Sequence, residues 1–312
     1  MKKVLVIMGP TAVGKTALGI KLAQRFDGEI ISGDALQVYR KLDIGTAKAT
    51  PAEQAAVPHH LIDIRDLNQR YSAYEFQQEA GQLIDQLTTA HQLPIIVGGT
   101  GFYIQALLKG LTLGGDTKQA EQDFSERHQW QNYLSEHGPE QLWAQLHQVD
   151  PAAAAQIPVG NTRRVIRALE VYDKTGRPIS AQHTEAGFQY DAKIIALNCD
   201  RDLLYERINL RVDQMMDAGL LKEARYVYHH RQESPQAQKG IGYKEFFPYF
   251  EGQISLATAV ETVKKNSRHY AKRQLTWLRH QLPCEWFNLV QHPEELQTVT
   301  ADVAGWLSTP SI

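Results

Sequence analysis

The sequence predicts an α/β fold, a parallel sheet covered by helices on both faces and interrupted by an all-helical insertion. Short apolar segments alternate with helical patterns through the first third of the chain. These segments are apolar throughout, not at every second residue, which is typical of parallel strands buried on both faces. Strand patterns stop over about 113–186 and return at 193–197. This alternation of strands and helices indicates one sheet that an insertion divides in sequence.

The elements are predicted in the following order. Strands are expected at 4–8, 29–32, 60–64, 94–99 and 193–197, and helices at 15–25, 73–90 and 163–174. We expect a core domain formed by 1–112 and 191–312, with C-terminal helices to about residue 279. The helical insertion is expected at 113–190. The residues after 279 carry no motif that we can interpret.

Composition bounds the possible functions. The chain has 312 residues, of which 43% are hydrophobic, enough for a sizeable core. The net charge of −2 excludes a polycation, so any nucleic acid must be bound by a local basic patch. The two cysteines, Cys199 and Cys284, are far apart, which favours a reducing compartment and argues against a zinc site. No apolar run is long enough to span a membrane, so we expect a soluble, cytoplasmic protein with no membrane partner.

Residues 9–16 read GPTAVGKT and match G-x-x-x-x-G-K-[ST], with a strand before and a helix after. In this context, backbone N–H groups and the helix N-terminus form an anion-binding nest. The lysine adds positive charge, and the final threonine can place its hydroxyl on Mg²⁺. The residues predicted to hold a polyphosphate are Gly9, Pro10, Thr11, Ala12, Val13, Gly14, Lys15 and Thr16.

The loop does not show which polyphosphate it holds. A nucleoside triphosphatase usually has an acid at the end of an apolar strand, where it helps to hold Mg²⁺. Here the strand at 94–99 runs into glycines and Thr100, and Asp63 is only a weak acidic candidate. These observations weaken the prediction of a triphosphate.

Two polar residues are expected at the binding edge of the sheet. Asp34 follows the second strand, at the carboxyl edge where open α/β sheets bind ligands. It could bind Mg²⁺, act as a general base or cap the next helix. Gln37 could hydrogen-bond a base edge, and Thr100 offers a hydroxyl from the second glycine-rich turn. His59 and His60 are adjacent, so they point to opposite faces of a strand and are not expected to share an ion.

Basic residues are concentrated in three places. Residues 264–280 contain no acid and carry two aromatic rings among their cations, a pattern that favours a nucleic-acid backbone. A second group lies at 161–167. Arg207 and Arg211 share a helix face and could clamp a phosphate, or they could pair with nearby acids.

Eight segments together resemble one family. In chain order they read GPTAVGKT, ISGDALQVYR, DIGTAK, PHHLIDI, PIIVGGTGFYI, RRVIRALEVY, GIGYKE and AKRQLTWLR. They are similar to the motifs of the bacterial tRNA dimethylallyltransferases, also called tRNA isopentenyltransferases, from residue 4 to about 279. Several of these motifs are specific to that family, whereas the phosphate loop is not.

The resemblance implies a reaction and a fold. The dimethylallyl group of dimethylallyl diphosphate would pass to N6 of the adenosine immediately 3′ of the tRNA anticodon, and diphosphate would leave with the help of Mg²⁺. The core would be P-loop kinase-like, and the insertion would grip the anticodon stem-loop. The target base would have to leave its stack to reach the site. We expect the enzyme to act as a monomer.

The resemblance also implies residue roles. Asp34 would be the general base, Thr100 would lie beside both substrates, and residues 9–16 would hold the diphosphate, with Thr16 on the metal. We assign Arg207 and Arg211 to the diphosphate ourselves. The residues implied to bind tRNA are Asp34, Ala35, Leu36, Gln37, Thr100, Arg127, Arg163, Arg164, Arg167, Lys239, Tyr243, Lys244, Lys272, Arg273, Trp277 and Arg279.

The sequence departs from the family pattern in three places, and two other functions stay open. Ala35 replaces a usual serine, Ala49 replaces a usual proline, and Ser-Arg-His at 267–269 replaces a common Thr-Arg-Arg. One alternative is a small-molecule kinase that uses the insertion as a lid. The other is a nucleic-acid-binding regulator in which the phosphate loop senses a ligand. The acid-free run at 264–280 disfavours the kinase.

Overall fold

The computed structural model describes residues 1–113, 125–181 and 187–310. The chain divides into two compact units. The core unit comprises Met1–Leu108 and Phe188–Ile312, and the insertion unit comprises Lys109–Gly187. The parts of the expected insertion at 114–124 and 182–186 lie outside the described residues.

The core unit is built on a parallel sheet of six strands among the described residues, in the order β3-β2-β4-β1-β5-β6. The strands are β1 Lys3–Met8, β2 Gly28–Gly33, β3 His59–His60, β4 Leu93–Gly98, β5 Asp191–Leu197 and β6 Glu285–Phe287. The register sets Gly33 opposite Gly98 and Met8 opposite Ala196. The carboxyl ends of β1, β2, β4 and β5 therefore meet at one edge of the sheet.

Helices cover the sheet on both faces. Those of the first half are α1 Lys15–Phe26, α2 Pro51–Ala56, α3 Ala73–Thr89 and α4 Gly101–Lys109. The insertion contributes α5 Ser125–Val149, α6 Pro151–Gln156 and α7 Thr162–Thr175. The remaining helices are α8 Arg201–Asp217, α9 Leu220–His229, α10 Phe247–Phe250, α11 Leu256–Gln281 and α12 Glu295–Ser308.

Both faces of the sheet are buried. Val4 and Val6 of β1 join one hydrophobic cluster, and the intervening Leu5 and Ile7 join a second cluster on the other face. Alternate residues of a strand point to opposite faces, so a strand covered on both sides must be apolar at every position. The predicted α/β fold class is confirmed.

The insertion unit has a core of its own. Leu142 and Leu146 of α5 pack with Val165 and Leu169 of α7. Helix α5 is broken at Gly138, which has a φ of 81° and precedes Pro139. A glycine adopts this left-handed conformation at little cost, and the proline cannot continue the i to i−4 hydrogen bonds.

The predicted strand at 60–64 is wrong in extent. Only His59–His60 is extended and paired with β2. Leu61 and Asp63 both have positive φ values, 59° and 55°, which are incompatible with a strand. Asp63 is held in this turn by an ion pair with the buried Lys48.

The chain after residue 279 completes the core, although its sequence showed no motif. Strand β6 pairs with β5 at the sheet edge, and helix α12 buries Val299 and Val303. Strand β6 has three residues, of which two are exposed, so its apolar pattern was too short to detect.

Two of the family-like segments are bound to each other by one carboxylate. Glu223 of α9 accepts hydrogen bonds from the backbone N–H groups of Asp43, Ile44 and Gly45 at 2.8–2.9 Å, and from the Tyr243 hydroxyl at 2.8 Å. Such charge-assisted bonds contribute about 1.5–3 kcal/mol each. Glu223 therefore fixes the 43–48 segment against the 239–245 segment.

Gly45 lies directly against this contact. A Cβ at position 45 would lie 2.7 Å from a Tyr243 ring carbon. We predict that Gly45→Ala lowers the free energy of unfolding by about 1–3 kcal/mol through overpacking. Chemical denaturation measures the change. The matched control is Gly305→Ala, in open space within α12, which should raise stability by about 0.5–1 kcal/mol. Equal stability of the two variants would contradict the prediction.

Candidate active site

The phosphate loop connects β1 to α1 at the carboxyl edge of the sheet. Gly9 has a φ of 144°, and a Cβ there would lie 2.5 Å from the carbonyl oxygen of Leu197. Gly14, at φ 93°, directly precedes α1. No other residue type fits position 9, because both its conformation and its neighbour exclude a side chain. The loop therefore presents its backbone N–H groups and the start of α1 at one point.

Lys15 lies folded within this loop. Its Nζ donates a hydrogen bond to the carbonyl oxygen of Pro10 at 2.7 Å. Burial and, to a lesser extent, the positive charge of Arg211 lower the pKa of Lys15 to about 7, although the carboxylate of Asp34 opposes both effects. An anion bound here would restore the proton of Lys15.

The two arginines of α8 lie beside the loop. Arg207 Nε donates to the carbonyl oxygen of Ala12 at 2.9 Å. Burial lowers the pKa of the Arg211 guanidinium from its usual value, and the charge of Arg207 adds to this effect, whereas the carboxylates of Glu53 and Asp34 oppose it. Of the acids with which these arginines could pair on their own helix, Asp213 pairs with Lys264 instead. The site thus gathers three cations at one place, an arrangement suited to a polyanion.

Asp34 follows β2 and faces the same cations. Its Oδ1 accepts hydrogen bonds from the N–H groups of Leu36 at 2.9 Å and Gln37 at 3.3 Å. These bonds form a turn, and the next helix begins only at Pro51, so Asp34 is not a helix cap. Burial raises the pKa of Asp34, while the two hydrogen bonds and the charges of Lys15 and Arg211 oppose the rise. A raised pKa makes the carboxylate a stronger proton acceptor.

Thr100 joins the ends of β2 and β4. Its Oγ1 accepts a hydrogen bond from the N–H of Ala35 at 3.1 Å, and its own N–H donates to the carbonyl oxygen of Gly33 at 3.2 Å. No group among the described residues accepts the hydroxyl hydrogen, which can therefore donate to a ligand. Asp34 and Thr100 are therefore neighbours at the carboxyl edge.

Helix α11 packs on the glycine-rich turn that carries Thr100. Gln274 donates to the carbonyl oxygen of Gly99 at 2.9 Å. A Cβ at Gly101 would lie 2.3 Å from the indole ring of Trp277. Burial and the charge of Asp34 raise the pKa of Tyr270, on the same helix. Sequence inspection did not single out Gln274, because its partner is 175 residues away.

The cations of residues 264–280 divide into two groups. Lys264 pairs with Asp213 and Glu261, and Arg268 donates to Asn209. The C-terminal cations of the run have exposed side chains, and they are Lys272, Arg273 and Arg279. Lys265, between the two paired cations, is also exposed, so the exposed charges of the run are interrupted by the paired Lys264 and Arg268.

The arginines of the insertion unit also fall into two groups, one exposed and one paired with a buried carboxylate. Arg163 and Arg164 are exposed. Arg127 and Arg167 bind opposite oxygens of the buried Glu170, at 2.6 Å and 3.1 Å. Burial of an unpaired carboxylate is costly, so these two arginines stabilise the unit itself.

Two implied RNA contacts do not fit this structure. The Gln37 amide accepts from the Ser32 hydroxyl and donates to the carbonyl oxygens of Thr46 and Ala47, so both of its polar ends are engaged within the protein. Tyr243 is completely buried, and its hydroxyl donates to Glu223. Both side chains support the backbone instead. Lys239 and Lys244, beside Tyr243, are exposed, and Ala35 and Leu36 are partly exposed.

The described residues contain no group of three or more histidine, cysteine, aspartate or glutamate side chains able to hold a metal ion. His60 Nε2 contacts Glu29, whereas His59 Nδ1 contacts the carbonyl oxygen of Val57, so the two histidines have separate partners. Among the described helices, none combines the length and apolar character that crossing a membrane requires.

A family model described as IPP transferase matches residues 37–281. The tRNA dimethylallyltransferase of Latilactobacillus sakei is 60% identical over 307 residues, 98% of each chain. That of Enterococcus faecalis is 53% identical and also covers 98% of each.

Solved structures give the same result. The full-length tRNA isopentenylpyrophosphate transferase of Bacillus halodurans is 42% identical, with a TM-score of 0.73 over 98% of this chain and 97% of that chain. A eukaryotic dimethylallyltransferase acting on tRNA is 30% identical, with a TM-score of 0.84 over 100% of this chain and 81% of its own.

The depressed pKa of Lys15 predicts proton uptake on anion binding. Inorganic diphosphate should bind more weakly as the pH rises above about 7, because the free lysine has then lost its proton. Calorimetry at pH 8, in two buffers of different ionisation enthalpy, should show more protons taken up by the wild type than by Lys15→Met. Lys21→Met, an exposed lysine on the same helix, should behave as wild type. Equal uptake by all three proteins would contradict this assignment.

Proposed function

The chain belongs to the IPP transferase family, and on that premise we infer that it is a tRNA dimethylallyltransferase, an enzyme that transfers a dimethylallyl group to tRNA. One observation in the site carries the chemistry, namely the convergence of Asp34 with Lys15 and Arg211 at the carboxyl edge of the sheet. This arrangement combines a proton acceptor with a cationic cradle for a leaving group.

We propose that the donor is dimethylallyl diphosphate. Its diphosphate would lie in residues 9–16, with Lys15, Arg207 and Arg211 around it. Support comes from the nest of backbone N–H groups at the start of α1 and from the three cations beside it. As the bond from carbon to oxygen breaks, negative charge grows on the diphosphate, and these cations stabilise it more than they stabilise the ester.

The acceptor is proposed to be N6 of the adenosine 3′-adjacent to the anticodon. A bond forms between N6 and C1 of the dimethylallyl group, the bond from C1 to oxygen breaks, and its electron pair leaves with the diphosphate. Asp34 takes the proton that N6 loses. The raised pKa of Asp34 suits this role, because an exocyclic amine is a weak nucleophile until its proton has an acceptor. The free hydrogen of Thr100 is available to orient either substrate.

The site suits Mg²⁺ with few ligands from the protein itself. The Thr16 hydroxyl, in the first turn of α1, is a hard oxygen ligand, and Mg²⁺ is commonly held by one or two protein oxygens together with substrate phosphates. Thr16 would hold the ion against the diphosphate. When bound, Mg²⁺ supplies charge neutralisation of the leaving group.

Each unit carries exposed cations of its own that we propose contact tRNA. In the core unit they are Lys239, Lys244, Lys272, Arg273 and Arg279, and in the insertion unit they are Arg163 and Arg164. Trp277, half-buried against Gly101, offers an aromatic ring at the same edge. We further propose a monomer that acts in the cytoplasm. The two free cysteines suit a reducing compartment.

The test is direct incubation of the protein with an unmodified tRNA transcript, Mg²⁺ and dimethylallyl diphosphate, followed by nucleoside mass spectrometry. The expected product is an adenosine heavier by one dimethylallyl group, at the position 3′ of the anticodon. Phosphoryl transfer from ATP without any prenylated nucleoside would instead support the kinase. Binding of tRNA without a covalent product would support the regulator.

The proposed general-base role of Asp34 predicts how its replacement by asparagine affects the reaction. Asp34→Asn keeps an oxygen that can accept the hydrogen bonds of Leu36 and Gln37 but cannot take a proton. We expect kcat to fall by about 100-fold or more, with the Kd for tRNA within about twofold of wild type. Rapid-quench kinetics and filter binding measure the two quantities. Asp202→Asn, an exposed carboxylate on α8, is the matched control and should retain activity. Near-normal kcat in Asp34→Asn would remove the general-base role.

The two shifted pKa values also predict the pH profile. Asp34 must be ionised, so kcat/KM should fall as the pH drops through its raised pKa. Lys15 must be protonated, so kcat/KM should fall as the pH rises above about 7. We therefore expect a bell-shaped profile whose alkaline limb is lost in Lys15→Met. An alkaline limb that persists in that variant would assign it to another group.

A further inference from the structure

A cleft outside the proposed active site lies at the carboxyl ends of β5 and β6. Its volume is about 370 Å³. It lies entirely within the core unit. The side chains that decide its chemistry are Asn198, Asp200, Arg279, Trp286, Asn288 and Glu295. Ligands of open α/β sheets bind at this edge, so the position suits a binding site.

Trp286 makes one wall of the cleft. Its side chain is 38% exposed, one of the large apolar side chains that the described surface leaves open to solvent. The guanidinium carbon of Arg279 lies 5.8 Å from the centre of the Trp286 ring. An exposed indole beside an arginine is the arrangement on which single-stranded nucleic acids stack their bases.

Asn198 supplies an unused hydrogen-bond acceptor. Its backbone N–H donates to the carbonyl oxygen of Phe287, but its Oδ1 is buried without a hydrogen-bond partner in the part of the chain that the structure describes. The neighbouring Asp200 is already occupied, since its carboxylate accepts from the Gln291 amide at 2.8 Å. A buried acceptor without a partner calls for a donor, and nucleobases bring one in their exocyclic amines.

The cleft continues the basic face of α11. Arg279, which lines it, follows the exposed Lys272 and Arg273 on the same helix. Cys199 lies two residues after the end of β5 and close to Arg207. Burial raises the pKa of the Cys199 thiol, and the positive charge of Arg207 opposes this rise. Arg207 in turn contacts the phosphate loop at Ala12. The cleft is therefore flanked by the proposed tRNA surface on one side and the diphosphate site on the other.

We propose that this cleft, the Trp286 cleft, holds one unstacked nucleotide of the RNA substrate, apart from the nucleotide that is modified. The base stacks on Trp286, the Asn198 side chain rotates so that its Oδ1 accepts from the exocyclic amine of the base, and the phosphate of the nucleotide contacts Arg279. This proposal deepens the proposed function and rests on it.

The charges of the cleft favour a nucleotide within a chain over a free one. Arg279 is the cation among the residues that line it, whereas Asp200 and Glu295 are both acids. One cation suits the single negative charge of an internucleotide phosphate. The two acids would repel the additional charges of a free nucleoside diphosphate or triphosphate.

Binding measurements on Trp286 and Asn198 test the proposal. Trp286→Ala should weaken binding of an unmodified tRNA transcript about tenfold, since loss of one stacked base has an effect of this order. Trp286→Phe keeps a ring and should retain most of the affinity. Asn198→Ala should weaken binding by a smaller factor. In all three, kcat at saturating tRNA should stay at the wild-type value. Leu210→Ala, which truncates another exposed apolar side chain, is the control.

Photocrosslinking identifies the nucleotide. Ultraviolet irradiation of the wild-type complex, followed by digestion and mass spectrometry, should attach one nucleotide of the tRNA to the peptide that contains Trp286. A tRNA whose crosslinked nucleotide lacks the exocyclic amine should bind the wild type more weakly than the unaltered tRNA does. The two tRNAs should bind Asn198→Ala with equal affinity. Wild-type affinity in both Trp286→Ala and Asn198→Ala would overturn the proposal. The proposal would also be overturned if adenosine monophosphate bound at Trp286 and tRNA did not displace it.

The outcomes separate this proposal from the proposed function. Prenylated adenosine made by the wild type, together with unaffected tRNA binding in the variants, would overturn the Trp286 cleft alone. In the opposite case, the wild type makes no prenylated adenosine but the variants bind tRNA more weakly than the wild type does. That result would overturn the proposed reaction and still support an RNA-binding site at the Trp286 cleft. A thermal melting temperature equal to that of the wild type excludes unfolding as the cause of weaker binding. Recovery of binding in Trp286→Phe assigns the effect to the aromatic ring.

Discussion

The site depends on one electrostatic constraint: two half-buried cations, Lys15 and Arg211, share the carboxyl edge of the sheet with a half-buried carboxylate, Asp34. Burial disfavours the charged form of each group, and the opposite charges offset only part of that cost. The free protein therefore holds an excess of positive charge that it can relieve by releasing the proton of Lys15. The proposed diphosphate would relieve this excess charge by binding. Its binding and the protonation of Lys15 would then be coupled, and the anion would complete a site that is electrostatically unbalanced without it.

The rest of the core unit keeps these groups in place through contacts that are distant in sequence. Glu223 binds three successive N–H groups at 43–45, and the buried Lys48 binds Asp43 and Asp63. These contacts fix the segment that follows Asp34. On the other side, Gln274 fixes the glycine-rich turn that carries Thr100. Lys48 and Gln274 are buried and Glu223 is half-buried, so the loss of a partner would leave these three polar groups poorly satisfied.

The sequence predicted the parts of the site that are local and missed those that require a distant partner. Residues 9–16 and Asp34 were predicted because a loop motif and the end of an apolar strand are both visible in a few residues. Glu223 and Gln274 were not, since nothing near them marks a partner some 175–180 residues away. Gln37 and Tyr243 were predicted to contact RNA because they lie in family-like segments. A motif shows that a residue matters, but not whether its side chain faces a ligand or the interior.

The same arrangement explains why the phosphate loop suits a leaving diphosphate. In the proposed alkyl transfer, the bond from carbon to oxygen breaks and the diphosphate would gain a negative charge while it stays in the loop. Lys15, Arg207 and Arg211 would then interact more strongly with the product than with the ester, and this difference would lower the barrier. Asp34 lies at the end of the neighbouring strand, where it can take a proton from an acceptor that approaches from the other side. The sheet register that aligns β1 with β2 and β4 thus places the proposed proton acceptor and the proposed leaving-group site at one edge, where the loop would stabilise the charge that develops during the reaction.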